Sequence, residues 1–129
     1  GRCSTACPAN QTGKLLSPRK IMMDTRDRLE EVGRNLDKNK GVFIPDNVSL
    51  LNDYITAEEL WACTSCNACV EECPVNISPL SIIMDMRRYL VMEQSAAPTS
   101  LNAMMTNIEN NGAPWQYSQQ DRLNWKNEN

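Results

Sequence analysis

The residues of this chain that could do chemistry are its cysteines, because the sequence contains six cysteines and no histidine. The lack of histidine excludes histidine-based acid-base catalysis, histidine-ligated haem, Rieske centres and mixed Cys/His zinc sites. Four cysteines follow the spacing C-x2-C-x2-C-x3-C-P, and these are Cys63, Cys66, Cys69 and Cys73, with Pro74 after the last. This spacing is typical of bacterial 4Fe-4S ferredoxins and predicts an iron-sulfur cluster.

A partial copy of the same motif lies near the start of the chain. Cys3, Cys7 and Pro8 repeat the C-x3-C-P end of the motif at a constant offset of 66 residues. In two-cluster proteins, the fourth cysteine of such a run ligates the cluster that the other run holds. The predicted ligands of the first cluster are therefore Cys63, Cys66, Cys69 and, from the other run, Cys7.

The second predicted cluster is incomplete. It would use Cys3 and Cys73, which supply two thiolates where a 4Fe-4S cluster of this type takes four. We expect the chain to be truncated within this motif, with the missing cysteines one and four positions upstream of Gly1 in a longer parent. The expected cofactor content is two 4Fe-4S clusters in that parent, and one or none in this chain.

Other uses of the same cysteines remain open. A structural zinc site could use Cys63 and Cys66 with Cys69 and Cys73, which would make the chain a zinc-stabilised interaction domain. A disulfide framework is disfavoured, because the cysteines sit in two short clusters rather than across many loops. A cluster with an open iron site could act as a Lewis acid, but this would require a missing protein ligand.

Each cysteine run leads to a Ser-Pro pair, which is typical of a helix start with serine as the N-cap. The pairs predict helices over residues 18–38 and 79–92, and a third helix is expected over residues 100–110. Thr56 and Glu59 fit a capping box, which predicts a short helix leading into Cys63. No segment shows strand alternation, so the predicted fold is all-α with two pseudo-repeated halves, each a cysteine loop followed by a helix.

The pattern also predicts the extent of the domain and the surroundings of its cysteines. The domain is expected to cover residues 1–115, and residues 116–129 to form a polar tail or a short helix. Trp61 could line the cluster or belong to the core, whereas Arg87 and Arg88 are interpreted as solvated surface residues. The helix over residues 18–38 is predicted to have one apolar stripe, composed of Ile21, Met22, Thr25, Leu29, Val32 and Leu36.

Composition argues against two kinds of partner. The net charge is −3, the isoelectric point is near 4.9, and lysines and arginines are scattered, so we expect no nucleic-acid partner. No apolar run approaches the ~18 residues of a membrane span, so we expect no membrane contact by this stretch itself.

Three segments resemble a known family, the α-helical 4Fe-4S ferredoxin domain of heterodisulfide-reductase-like iron-sulfur oxidoreductases. The main segment is residues 59–74, ELWACTSCNACVEECP, which contains the full cysteine run. The second is residues 85–90, DMRRYL, and the third is the start of the chain, GRC leading to Cys7 and Pro8. The resemblance covers most of the chain, and the cysteine runs are its specific part.

The resemblance implies an α-helical ferredoxin-like fold and a function in electron transfer. Domains of this family relay single electrons between a donor and a catalytic or quinone-linked partner, and this stretch would perform no catalysis by itself. The implied partner is a redox protein or further domains of the parent chain. The implied location is the cytoplasm, and some parent proteins of this family are anchored to the membrane.

Overall fold

The computed structural model describes residues 1–127, which divide between two compact units, Gly1–Tyr89 and a second unit that begins at Leu90. The described residues contain seven α-helices and no β-strand, so the predicted all-α class is confirmed. In the first unit the helices are α1 (Arg2–Thr5), α2 (Pro8–Gln11), α3 (Pro18–Lys38), α4 (Ala57–Trp61), α5 (Ala68–Glu71) and α6 (Pro79–Arg88). The second unit contains α7 (Thr99–Asn111).

The two long helices of the first unit begin at the predicted Ser-Pro pairs. The Ser17 hydroxyl accepts a hydrogen bond from the backbone N–H of Lys20 at 3.4 Å, and Ser78 accepts one from Ser81 at 3.2 Å. The following prolines occupy the first helical turn, where a missing N–H leaves no bond unmade. The bounds of α3 agree with the predicted range, whereas α6 ends at Arg88 and a π-helical turn, Tyr89–Glu93, follows.

Equivalent helices of the internal repeat contact each other. Adding the 66-residue offset to the residues of α1 gives residues 68–71, which are the residues of α5. Likewise, α3 and α6 both follow a cysteine run. Within the first unit α1 packs against α5, and α3 packs against α6. The repeat in the sequence is thus a repeat in the structure, and each cysteine run meets its counterpart.

A small apolar core supports this arrangement. Burying an aliphatic side chain of this kind contributes about 1.5–3 kcal/mol, and the core residues come from α3, α4, α6 and the segments that precede them. The largest fully buried side chains are Leu16, Pro18, Ile21, Ile55, Leu60, Pro79 and Ile83.

The buried face of α3 differs from the predicted apolar stripe. Leu29, predicted to lie in that stripe, is 70% exposed, whereas Arg28 is only 9% exposed. The Arg28 guanidinium donates to the Asp46 carboxylate at 2.7 and 2.8 Å and to the Val48 carbonyl at 2.7 Å. Hydrogen bonds from Arg28 and from the backbone N–H of Val48 lower the pKa of Asp46 to about 2. The loop after α3 therefore provides polar partners that helical periodicity does not include.

A buried carboxylate joins α3 to the helix that precedes the main cysteine run. Glu59 is 4% exposed, and it accepts hydrogen bonds from the Thr56 backbone N–H at 2.8 Å and from Lys20 Nζ at 2.8 Å. The Glu59 N–H in turn donates to the Thr56 hydroxyl at 3.2 Å, which completes the predicted capping box. Burial alone would raise the pKa of Glu59, but the bonds from Lys20 and Thr56 outweigh it, and the pKa is lowered.

The second unit is described by itself. Its helix α7 agrees with the helix expected over residues 100–110 and ends at Gly112, which has a left-handed φ of 65°. A 3-10 helix, Gln119–Lys126, lies in the predicted tail, and residues 128–129 of that tail are outside the described residues. The domain boundary after residue 115 stays a prediction. No described helix combines the length and the apolar character that crossing a membrane requires.

Substituting Glu59 tests whether the capping box holds α4 at the start of the cysteine run. Glu59→Ala leaves the Thr56 N–H without its carboxylate partner and removes one of the two carboxylates that pair with Lys20 Nζ. We expect the amide protons of Leu60 and Ala62 to exchange roughly 5- to 150-fold faster, which corresponds to a loss of about 1–3 kcal/mol in the local free energy of unfolding. Glu58→Ala is the matched control, because Glu58 is the exposed neighbour. Equal exchange rates in the two variants would contradict this role.

Candidate metal centre

The main cysteine run occupies a bent loop between α4 and α5. Ser65 and Asn67 have positive φ values of 56° and 66°, which are uncommon for residues other than glycine. The backbone therefore turns at both positions between Cys63 and Cys69. A chain that bends in this way can place thiols spaced by two residues around a common centre, as the C-x2-C-x2-C motif requires.

The Cys69 thiol lies within electrostatic range of the other three predicted ligands of the first cluster. Burial raises the pKa of the Cys69 thiol. Negative charge on three other thiols raises that pKa further, and these belong to Cys63, Cys7 and Cys66. Cys7 and Cys69 are buried, Cys63 is half-buried and Cys66 is exposed. Cys7, from the first run, thus lies within electrostatic range of Cys69 in the second run.

Backbone N–H groups donate to two of these thiols. The Ser65 N–H donates to Cys63 Sγ at 3.4 Å. The pKa of the Cys66 thiol is lowered, first by the backbone of Ala68 and second by the Thr64 hydroxyl. Donors aimed at sulfur stabilise a thiolate, and around iron-sulfur clusters such donors also influence the reduction potential.

Cys3 and Cys73 lie together at a second location. Both residues line a cavity of about 370 Å³. The Cys73 thiol accepts a hydrogen bond from the Ile77 N–H at 3.3 Å, and Cys3 lies in α1. The other lining residues are Gly1, Arg2, Glu72 and Pro74. The two cysteines predicted for the second cluster therefore line the same cavity.

A cluster and a single metal ion need different spacings of their sulfur ligands. Among residues 1–127, no group of three or more Cys, Asp or Glu side chains is placed to hold one metal ion. A zinc ion needs all its sulfur ligands at ~2.3 Å from one centre. A cubane instead offers a separate iron atom to each thiolate, so its ligands stand farther apart. The four-thiol set, with two buried members, is compatible with a 4Fe-4S cluster.

Arg87 fixes the start of the cysteine loop, and sequence reasoning missed it. The interpretation of Arg87 as a solvated surface residue is wrong, because its guanidinium donates to the backbone carbonyls of Leu60 and Cys63. The guanidinium carbon also lies 4.9 Å from the centroid of the Trp61 ring. The position of Arg87 in α6 could have indicated this role, because Arg87 follows the buried Ile83 by one helical turn and shares its face of the helix.

Comparison with known families agrees with this geometry. Residues 1–77, which contain all six cysteines, match the family described as the 4Fe-4S dicluster domain. The chain belongs to the 4Fe-4S dicluster domain family. No solved structure matches the chain.

Several curated relatives of this dicluster domain are named as oxidoreductases or as part of one. The chain is 34% identical to a probable iron-sulfur-binding oxidoreductase, FadF, of Bacillus subtilis, over 99% of this chain and 22% of the relative. It is also 34% identical to an EtfAB:quinone oxidoreductase of Syntrophomonas wolfei, over 99% of this chain and 20% of the relative. One component of a CoB-CoM heterodisulfide reductase of Methanosarcina acetivorans is 32% identical over 76% of this chain and 47% of its own length. The chain therefore spans about a fifth of the length of the first two relatives.

The family assignment confirms three predictions from the sequence. The cofactor of the dicluster domain is the 4Fe-4S cluster, its function is electron transfer, and its relatives include components of heterodisulfide reductases. None of the comparisons favours the zinc-stabilised alternative. Each of these relatives is longer than the stretch that the chain matches, and one is named as a subunit of an enzyme.

Replacing Arg87 should loosen the cysteine loop of the cluster-loaded domain. Arg87→Gln removes most of the charged hydrogen bonds to the Leu60 and Cys63 carbonyls, and bonds to charged groups contribute about 1.5–3 kcal/mol. We expect iron to be released to a chelator roughly 10- to 150-fold faster, as that loss implies, measured anaerobically by the absorbance of the iron-chelator complex.

Arg88→Gln is the control for this measurement. Arg88 is exposed and pairs with Asp85 at 2.6 Å, where both side chains are more than half exposed. Exposed pairs of this kind contribute little, so iron release should match that of the unaltered protein. An Arg87 variant that releases iron no faster than the Arg88 variant would rule out the positioning role.

Proposed function

We propose that this dicluster domain relays single electrons within a larger oxidoreductase and that Cys7, Cys63, Cys66 and Cys69 ligate one of its clusters. The observation that carries the proposal is the packing of α1 against α5. Cys7 follows α1 closely and Cys69 lies in α5, so this contact supports a ligand set drawn from both cysteine runs.

The chain's own residues supply a shielded site with one accessible side. When bound, a 4Fe-4S cluster accepts and releases one electron at a time. The buried thiols of Cys7 and Cys69 would shield it from water, and the Ser65 N–H would balance negative charge on Cys63. The exposed Cys66 would form the side nearest to a redox partner.

Cys3 and Cys73 are proposed as ligands of a second cluster. Their shared cavity and the dicluster character of the family support this assignment. After the four ligands of the first cluster are assigned, these two are the only cysteines left of the six in the sequence. Any further ligands of the second cluster would therefore not be cysteines of this chain.

The partner of the relay is proposed from its relatives. Their names describe oxidoreductases and one acts on a quinone, so we propose that electrons pass between this domain and further domains or a redox partner protein. We propose a cytoplasmic location for the domain. The net charge of −3 gives no basis for a nucleic-acid partner.

The proposed crossing of ligands between the two runs can be tested with two serine variants. Cys7→Ser removes a ligand of the first cluster, whereas Cys3→Ser removes one from the second location. After anaerobic reconstitution, we expect the Cys3 variant to keep about four irons per chain and the Cys7 variant to lose most of them. Iron and acid-labile sulfide analysis, with the visible absorption spectrum, measures both.

Two outcomes would contradict the proposal. Equal iron loss in the Cys7 and Cys3 variants would overturn the ligand assignment. Colourless protein that contains stoichiometric zinc and no sulfide would overturn the electron-relay function itself.

Removing iron should affect the cysteine loop more than α3. The core residues of the first unit support α3, while the loop between α4 and α6 has little apolar packing of its own. We expect amides in residues 60–76 to lose protection in the iron-free, reduced protein, with little change in Pro18–Lys38. Hydrogen exchange on loaded and iron-free samples measures this difference, and a uniform change along the first unit would contradict it.

A further inference from the structure

One buried donor has no hydrogen-bond partner. Among the described residues, Trp61 Nε1 is the buried side-chain nitrogen or oxygen for which the protein provides none. Leaving such a group unsatisfied costs about 1–3 kcal/mol. A donor that stays buried at this cost usually has a partner outside the polypeptide, such as a cofactor or an ordered water.

Trp61 is held beside the cysteine loop. It is the last residue of α4 and precedes Cys63 by two positions. The Arg87 guanidinium lies over its ring at 4.9 Å and donates to the Cys63 carbonyl. The same arginine therefore restrains both the indole ring and the backbone of a proposed cluster ligand, so the indole has little freedom to turn away.

The chemistry of the indole limits what its partner can be. The Nε1–H group donates and cannot accept, so the partner must be an acceptor. The nearby positive charge of Arg87 favours an acceptor with negative charge. The sulfides and cysteine sulfurs of a 4Fe-4S cluster are acceptors of this kind, and hydrogen bonds to them raise the reduction potential.

We propose that the Trp61 Nε1–H group donates a hydrogen bond to a sulfur of the cluster ligated by Cys7, Cys63, Cys66 and Cys69. This inference rests on the proposed function, because it requires that cluster. Reduction adds one electron to the cluster and increases the negative charge on its sulfurs. The hydrogen bond becomes stronger, the indole keeps its proton, and the reduced form is stabilised relative to the oxidised form.

Pulsed electron paramagnetic resonance can detect this hydrogen bond directly. The full chain is prepared with ¹⁵N-labelled indole nitrogens, reconstituted with iron and sulfide, and reduced with dithionite. The chain has three tryptophans, and Trp115 and Trp125 are 61% and 68% exposed. The double variant Trp115→Phe/Trp125→Phe leaves Trp61 as the sole indole, so any indole coupling in that variant belongs to Trp61.

The expected result is a ¹⁵N coupling to the reduced cluster, together with a coupling to an exchangeable proton that is replaced by deuterium in D₂O. Both should persist in the double variant and disappear in Trp61→Phe, which keeps an aromatic ring for Arg87. The reduction potential of Trp61→Phe should shift to a more negative value, whereas that of Trp115→Phe should not change.

Several results would overturn the inference. A loaded double variant without ¹⁵N coupling would show that the indole donates elsewhere, for example to a buried water. An unchanged potential in loaded Trp61→Phe would remove the effect on reduction. If the unaltered chain takes up no cluster, the proposed function fails first and the hydrogen bond fails with it, so the two failures are distinguishable by iron content.

Discussion

The approach of Cys7 to Cys69 of the main cysteine run is the constraint on which the first unit depends. These thiols come from segments separated by more than fifty residues, so bringing them together costs chain entropy that the rest of the fold must offset. The packing of α1 on α5 and of α3 on α6 provides this. A cluster bound across both runs would in turn connect the two halves, which couples metal binding to folding.

The polar groups inside the first unit have a common task, which is to hold loops that lack apolar packing. Arg28 binds the loop after α3, Glu59 joins α3 to α4, and Arg87 binds the start of the cysteine loop. With aromatics at 5% of the sequence, few large side chains are available to cover these loops. Directional bonds to backbone carbonyls and N–H groups replace that contact area, and they specify geometry more narrowly than apolar contact does.

Short sequence motifs correctly predicted the helix starts, which depend on neighbouring residues alone. Ser17 and Ser78 start helices because a serine cap and a following proline satisfy the first turn, and Thr56 with Glu59 forms a capping box for the same reason. The outward position of Leu29 and the inward position of Arg28 depend on a loop that folds back from residue 46, so periodicity within α3 could not show them. The contacts of Arg87 likewise depend on tertiary packing. The proximity of Cys7 to Cys69 was predictable only through the repeat.

The unequal burial of the proposed ligands addresses two opposing demands on an electron relay. Burial of Cys7 and Cys69 keeps water from the cluster, but complete burial would lengthen the distance to a partner. The exposed Cys66 leaves one side of the site open to solvent. On this side, the charge that reduction adds to the cluster would lie closest to solvent. In the shielded part of the site, where water is excluded, buried donors act most strongly, because a lower dielectric strengthens each hydrogen bond. The fully buried Trp61 Nε1 is thus a donor that could influence the potential without closing the exposed side.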